Sequence, residues 1–312
     1  MEDLVHRKHD AVTSREDGQR LMRCPTAMTR QRPFFVQFLV PAVLVAVIFA
    51  AAMFNVLKYS FLEFVPGSLN VGGFTLENFT RINRPIYYWV LLDTFILSFA
   101  TAFFALLLSY PISFALVRAE RNWVRSVLVV LAITPLFTGE IVRTYSWMLV
   151  LGSDGVVNTA LKSLGIIDRS VPIMYTRVGV VIALVQFAMP VMIILLATAI
   201  SQINRDCEKA AANLGATPNT VFWWVTIPLT LPGILSGFVV VFAWTMSAFS
   251  TPQLIGGGKV LMISNVVYLQ GFSSFNLPFA AVLSLVALVA ALGSLALMKL
   301  LTARLEQNMA TS

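Results

Sequence analysis

Six stretches dominated by apolar residues punctuate the chain, at about 34–57, 88–117, 124–151, 178–200, 227–255 and 279–301. Each is near or above the roughly 20 residues a helix needs to cross the hydrocarbon core of a bilayer. The apolar runs are continuous and do not alternate every second residue, which excludes a strand barrel. Inside lipid each backbone N–H and C=O must be bonded within its own segment, so runs of this length read as helices. The pattern predicts an all-α, polytopic integral membrane protein with six transmembrane helices. Around them it predicts a polar tail over 1–33, read as a disordered extension, a first helix with its outer loop over 34–87, a core over 88–301, and a C-terminal tail over 302–312.

Composition agrees. Of 312 residues, 58% are hydrophobic and 12% charged, where an ordinary globular domain carries about 25% charged residues. A soluble enzyme, a disordered chain and a secreted disulfide scaffold are thereby excluded. Cys24 and Cys207 stand alone, with no second ligand at metal spacing. His6 and His9 lie in the polar tail with no further ligand nearby, so a solvated tail is the simpler reading. The tail has no apolar core and is not a cleavable signal peptide. The first hydrophobic segment is expected to act as its own insertion signal.

The net charge of +7 would suggest nucleic acid if the basic residues were clustered on a soluble face. They sit instead in the tail and the short loops, so no nucleic-acid partner is expected. With both termini cytoplasmic, the inside receives Arg7, Lys8, Arg15, Arg20, Arg23, Arg30, Arg32, Arg118, Arg121, Arg125, Arg205, Lys209, Lys299 and Arg304. The outside receives Arg81, Arg84, Lys162, Arg169, Arg177 and Lys259. The positive-inside rule therefore predicts cytoplasmic termini, and the basic tail can meet anionic lipid headgroups. The outer loops are long and carry turn signals at Pro66-Gly67, Gly72-Gly73 and Ser153-Asp154-Gly155.

Between the fourth and fifth segments, about 201–226, lies the most informative cytoplasmic loop. Asp206 through Leu214 reads as a short helix with Asp206 able to cap it and Gly215 placed to end it in a left-handed conformation. Thr217 can cap a second helix, with Pro218 in its first turn, running through Val221, Phe222, Trp223 and Trp224 toward the membrane. Three consecutive alanines, Ala210 to Ala212, leave the first helix a small surface that a partner's groove could accept.

These residues resemble a known family. Lys209-Ala210-Ala211, Gly215, Val225-Thr226-Ile227-Pro228, Leu229, Pro232 and Gly233 are similar to the EAA loop of type I ABC importer permeases. The resemblance implies that the loop is the coupling helix that docks on a cytoplasmic ATPase, with Glu208, Lys209, Ala210, Ala211, Gly215, Pro228 and Pro232 in the coupling role. One departure stands out: the motif's acidic position holds Lys209, with Glu208 one place earlier. Either a charge contact with the ATPase is lost, or Glu208 supplies it from a neighbouring angle.

Further segments look like the branch that imports spermidine and putrescine: Phe74 to Phe79, Tyr110-Pro111, Leu136-Phe137-Thr138 with Val142 to Tyr145, Leu164 to Asp168, and Ala248 to Gly257. The resemblance implies a bacterial inner-membrane permease with three kinds of partner. They are a cytoplasmic ATP-binding subunit in two copies, a second permease that is a paralogue, and a periplasmic solute-binding protein. It implies no cofactor bound by this chain, ATP and magnesium being used by the ATPase. Gly256-Gly257-Gly258-Lys259 lacks the spacing of a phosphate-binding loop and falls outside the cell. Other small organic solutes, such as an opine or an amino-acid derivative, remain an alternative cargo.

Ionisable residues inside membrane helices are costly and usually face a cavity or a partner, which singles out Asp93, Glu140 and Arg143. Glu140 and Arg143, three apart on one helical face, are expected to pair. Tyr145, Trp147 and Trp244 are candidate aromatic faces along a translocation path, able to attract an ammonium group by about 0.5–2 kcal/mol. Trp89, Trp123, Trp223 and Trp224 fall at segment ends and fit an interfacial belt. Pro111, Pro135 and Pro190 interrupt spans and are expected to kink them. An ion-coupled carrier using Asp93 or Glu140 is a second reading, though it leaves the alanine-rich loop unexplained. An intramembrane enzyme lacks a catalytic constellation: no His, paired carboxylates or activated Ser or Cys lies in the spans.

Overall fold

The computed structural model describes residues 32–66 and 71–310. The expected disordered tail lies, apart from its last two residues, outside the described residues. Among the described residues five helices are long and apolar enough to span a bilayer, or six when one sharply bent pair is taken as a single span. The chain divides into two compact units, 1–55 and 56–312. Of the first, the described part is most of helix α1 (Arg32–Ser60), whose apolar side chains Leu39, Val43, Val47 and Phe54 are exposed as a lipid-facing helix requires.

The second unit opens with a feature the sequence pattern did not reveal. Strands β1 (Leu62–Phe64) and β2 (Val71–Phe74) pair antiparallel, with Leu62 opposite Phe74. Gly72, expected in a turn, lies in β2, where a Cβ would stand 3.0 Å from the Glu63 side chain. Helix α2 (Glu77–Arg81) follows. The buried Asn78 amide donates to the carbonyls of Ser60 and Leu62 at 3.3 and 2.8 Å, and so fastens α2 to the start of the hairpin.

Three long helices make the core: α3 (Pro85–Arg118), α7 (Arg177–Ser201) and α10 (Ile227–Met246). Membrane helices gain little from the hydrophobic effect and associate through close packing and interhelical hydrogen bonds. Small residues accordingly meet here. Ala102, Ala105 and Ala188 are buried together with Val241 and Phe242. Ser113 Oγ donates across to the Ile193 carbonyl at 3.1 Å, and the Tyr110 hydroxyl lies 3.0 Å from Thr230 Oγ1.

Two predicted spans are broken. The third, expected over 124–151 with a kink at Pro135, is α4 (Asn122–Phe137) and α5 (Glu140–Leu151), the chain bending by 105° between Asn122–Phe137 and the stretch Glu140–Ser163. Pro135 removes a backbone donor near the end of α4, and Gly139 precedes the first residue of α5. The liberated carbonyl of Pro135 accepts from Thr138 Oγ1 at 2.8 Å and from Arg143 Nη1 at 2.9 Å. After α5 comes α6 (Val156–Ser163).

The fifth span, expected over 227–255, stops at Met246 and resumes as α11 (Ser250–Ile255). At the break α12 (Ile263–Tyr268) bonds two carbonyls: Ser264 Oγ donates to that of Ala248, and the Asn265 amide donates at 3.1 Å to that of Phe249, which also accepts from the Gln253 N–H at 3.0 Å. Ser264 thus replaces a lost backbone bond, as a break at membrane depth demands, while Asn265 braces the start of α11. The last helix, α13 (Leu277–Ala310), runs beyond the predicted 279–301 at both ends.

Candidate coupling loop and translocation path

The loop over 201–226 folds as two short helices, α8 (Arg205–Asn213) and α9 (Pro218–Val221). The cap of α8 is Asn204, whose side-chain oxygen accepts from the Asp206 N–H at 2.9 Å. This corrects the expectation for Asp206, which sits inside the first turn, where its charge suits the helix N-terminus. At the other end Gly215 has φ +89°. The Gly215 N–H reaches the Ala212 carbonyl and the Ala216 N–H the Ala211 carbonyl, at 3.0 and 3.1 Å. That pair of bonds is the glycine-dependent helix ending. Thr217 Oγ1 then accepts from the Thr220 N–H at 3.3 Å to start α9. A wide turn with π-type bonding, Phe222–Thr226, leads into α10, where Pro228 fits the first turn and Pro232 lies within the helix.

No residue of α8 is buried. Lys209, Ala210, Gly215, Trp223 and Trp224 are exposed, Ala211 is half-buried, and Leu214 at the tip is 90% exposed. Glu208 differs from its neighbours. Its Oε1 accepts from Arg118 Nη2 at 2.6 Å and from Thr226 Oγ1 at 3.1 Å, with the Glu208 and Arg118 side chains 19% and 15% exposed. Glu208 therefore faces its own bundle, while Lys209 lies on the free face 3.5 Å from Asp206.

Within the bundle, the candidate path residues separate into groups. Asp93 pairs with Arg177 at 2.9 Å, tying the first turns of α3 to the start of α7. Glu140 is exposed at the N-terminus of α5. The expected Glu140–Arg143 ion pair is not among the bridges of the described residues. Arg143 is held by the Pro135 carbonyl and by the face of Phe187, with its guanidinium carbon 4.3 Å from the ring centroid. The broken end of α4 supplies a better acceptor than a carboxylate free to stay in water.

Trp244 packs on the same Phe187, with ring centroids 4.8 Å apart, and the Trp147 indole N–H donates to Gln186 Oε1 at 3.1 Å. Arg143, Trp147 and Trp244 are thus gathered around two neighbouring residues of α7. Thr134, Thr138, Ser146 and Gln186 join Arg143 and Trp147 along an open groove of about 430 Å³. Tyr145 is exposed and does not line it. Two residues from Arg143, it lies about 200° away around the helix. Sequence reasoning missed Gln186 and Phe187. Gln186 carried a signal, as the single amide side chain in the apolar run 178–200.

The Gly256–Lys259 segment also has an internal explanation. Gly257 has φ +55° and its Cα lies against the Tyr175 ring, where a Cβ would clash, while Lys259 Nζ stands 5.8 Å above the same ring.

A lipid-exposed helical bundle with interrupted spans, a polar groove beside one of them and an exposed helix carried on a loop has the architecture of a membrane transport subunit. Residues 106–311 match the family described as binding-protein-dependent transport system inner membrane component, and the chain belongs to that family. It is 32% identical over 248 residues to the spermidine/putrescine transport system permease protein PotB of Haemophilus influenzae, covering 77% of this chain and 86% of that one. It is 35% identical over 212 residues to PotB of Escherichia coli, covering 68% and 77%. Its fold resembles a chain of the bacterial alginate ABC transporter in complex with alginate pentasaccharide-bound periplasmic protein. There the TM-score is 0.74 at 18% identity, over 91% of this chain and 98% of that one. The chain is thus a multi-pass inner-membrane transport component and not a catalytic protein. The ion-coupled carrier reading has no support among these relatives.

Proposed function

We propose that the chain is a permease subunit of an ABC importer for spermidine or putrescine, working by alternating access with both termini in the cytoplasm. The observation that carries this reading is the likeness to spermidine/putrescine permeases, which extends over 86% of one such protein. A solute-binding protein delivers cargo at the outer face, and a second permease, a paralogue, completes the pathway. Of two copies of an ATP-binding subunit, one docks at α8 and the other on the second permease, and they hydrolyse ATP with magnesium, this chain holding no cofactor. The exposed, small-surfaced α8 with Lys209, Ala210, Ala211 and Gly215 supports the docking role. Trp147, which lines the groove, offers an aromatic face to ammonium groups on the path.

The test is uptake into proteoliposomes containing the assembled importer, given binding protein loaded with spermidine, putrescine or an unrelated amino acid. ATP-dependent accumulation of a polyamine supports the reading. Accumulation of the amino acid alone moves the cargo elsewhere, and uptake by this chain alone under an ion gradient would overturn the importer.

A further inference from the structure

Helix α8 has no buried residue, so its mechanical attachment to the bundle rests on few contacts. Two side chains of α8 reach α3. Arg205 Nη2 donates to the Val117 carbonyl at 3.1 Å, at an exposed position. Glu208 accepts from Arg118 at 2.6 Å in a largely water-excluded pocket, where a charge-assisted bond is shorter and stronger than its exposed equivalent. Thr226, itself buried, donates to the same carboxylate oxygen. The nearby Arg118 Nε is buried without a hydrogen-bond partner, so this guanidinium is committed to the carboxylate and to little else.

The end of α3 is further stitched to the loop. Tyr110 and Phe114 both set their rings edge-on to Phe222, at 5.8 and 5.4 Å. Tyr110, Phe114 and Arg118, spaced four apart, lie along one face of α3. By contrast, the covalent route from α8 to α10 passes through α9 and the wide π-type turn Phe222–Thr226. Such a turn departs from regular helical bonding, making this route the more compliant one.

Building on the importer reading above, we propose that Arg118 and Glu208 form a latch that transmits displacement of α8 to α3, making α3 the helix that the ATP-binding subunit drives. Arg118 and Glu208 are positioning residues in this scheme, and neither needs to touch the ATPase or the cargo. Pro111 removes a backbone bond within α3 one residue beyond Tyr110, which gives the driven end a place to bend. Because linkage is reciprocal, a change at the outer end of α3 would bias α8 by the same factor.

The latch is tested in the assembled complex with reporters that need no cargo. One fluorophore is placed on Cys207 in α8, and another on Ile86→Cys at the outer end of α3, each in a background without the other cysteines. ATP, magnesium and orthovanadate are then added. In the otherwise native chain both reporters should respond. With Arg118→Ala the Cys207 response should persist while the Ile86→Cys response falls at least about fivefold, the low end of ordinary intersite coupling. The charge exchange Arg118→Glu with Glu208→Arg should restore it.

A full Ile86→Cys response in Arg118→Ala overturns the latch. Loss at both reporters also overturns it, because the pair would then hold the loop together without transmitting motion. If Cys207 is silent even in the native chain, the importer reading falls and takes the latch with it. That result differs from the failure of the latch alone.

Discussion

Gly233 of α10 faces Ala199 of α7 so closely that a Cβ built on the glycine would lie 2.1 Å from the alanine's Cβ. No side chain fits that space unless the helices separate. One turn further along α10, a Cβ on Gly237 would stand 3.2 Å from the Met192 sulfur. The two glycines therefore define the line along which α7 and α10 approach. Gly233→Ala should destabilise the solubilised protein by about 1–3 kcal/mol, the usual range for overpacking a tight contact. A lowered melting temperature checks this, and the double variant Gly233→Ala with Ala199→Gly should recover most of the loss. An unchanged melting temperature in the single variant would mean that the helices part freely here.

The Arg143, Phe187 and Trp244 stack joins α5, α7 and α10. If the guanidinium is held by the ring as well as by the Pro135 carbonyl, removing the ring should cost less once the arginine is gone. A double-mutant cycle with Arg143→Ala and Phe187→Leu should show coupling of about 0.5–2 kcal/mol in stability. Strict additivity would reduce the stack to proximity.

The same cluster marks what could be read from the residues and what could not. The spans were legible because hydrocarbon forces every backbone group into helical bonding, so apolar length alone locates them. The interruption at Pro135 was legible as a proline kink, whereas the break after Met246 and the partners of the freed carbonyls were not. A break at membrane depth needs partners for the carbonyls it frees, and Arg143 and Ser264 supply them through tertiary contacts. Nearest-neighbour spacing suggested Glu140 as the partner of Arg143, yet the preferred partners lie on α4 and α7. Likewise Gly215 and Thr217 announced their local roles, since a left-handed residue and a helix cap depend on adjacent backbone. The bond from Glu208 to Arg118 spans 90 positions and leaves no local trace.

Asn78 is a buried amide whose bonds reach Ser60 and Leu62. Its replacement by Ala would leave two carbonyls to find other donors, at a cost of about 1–3 kcal/mol. The effect should be local. Hydrogen exchange in Asn78→Ala is expected to quicken over residues 61–66 and 71–75 while α7 stays protected. Equal loss of protection in α7 would show that the hairpin supports the core and is more than an outer ornament to it.

Gly215 separates two reasons for a glycine. Its φ of +89° disfavours any residue with a side chain, whereas the space around its Cα is open to 4 Å within the chain. Strain alone predicts an order, because Asn tolerates positive φ better than Ala. Polyamine-stimulated ATPase activity of the assembled importer should therefore fall in the order native, Gly215→Asn, Gly215→Ala, with Ala about fivefold or more below native for ~1 kcal/mol of strain or above. Insertion should be unaffected, since a Cβ at this position has no other atom of this chain within 4 Å. If Asn, the larger residue, proves as damaging as Ala or worse, backbone conformation is not the controlling factor. Gly215 would then be needed because the docked subunit approaches its Cα too closely for any side chain.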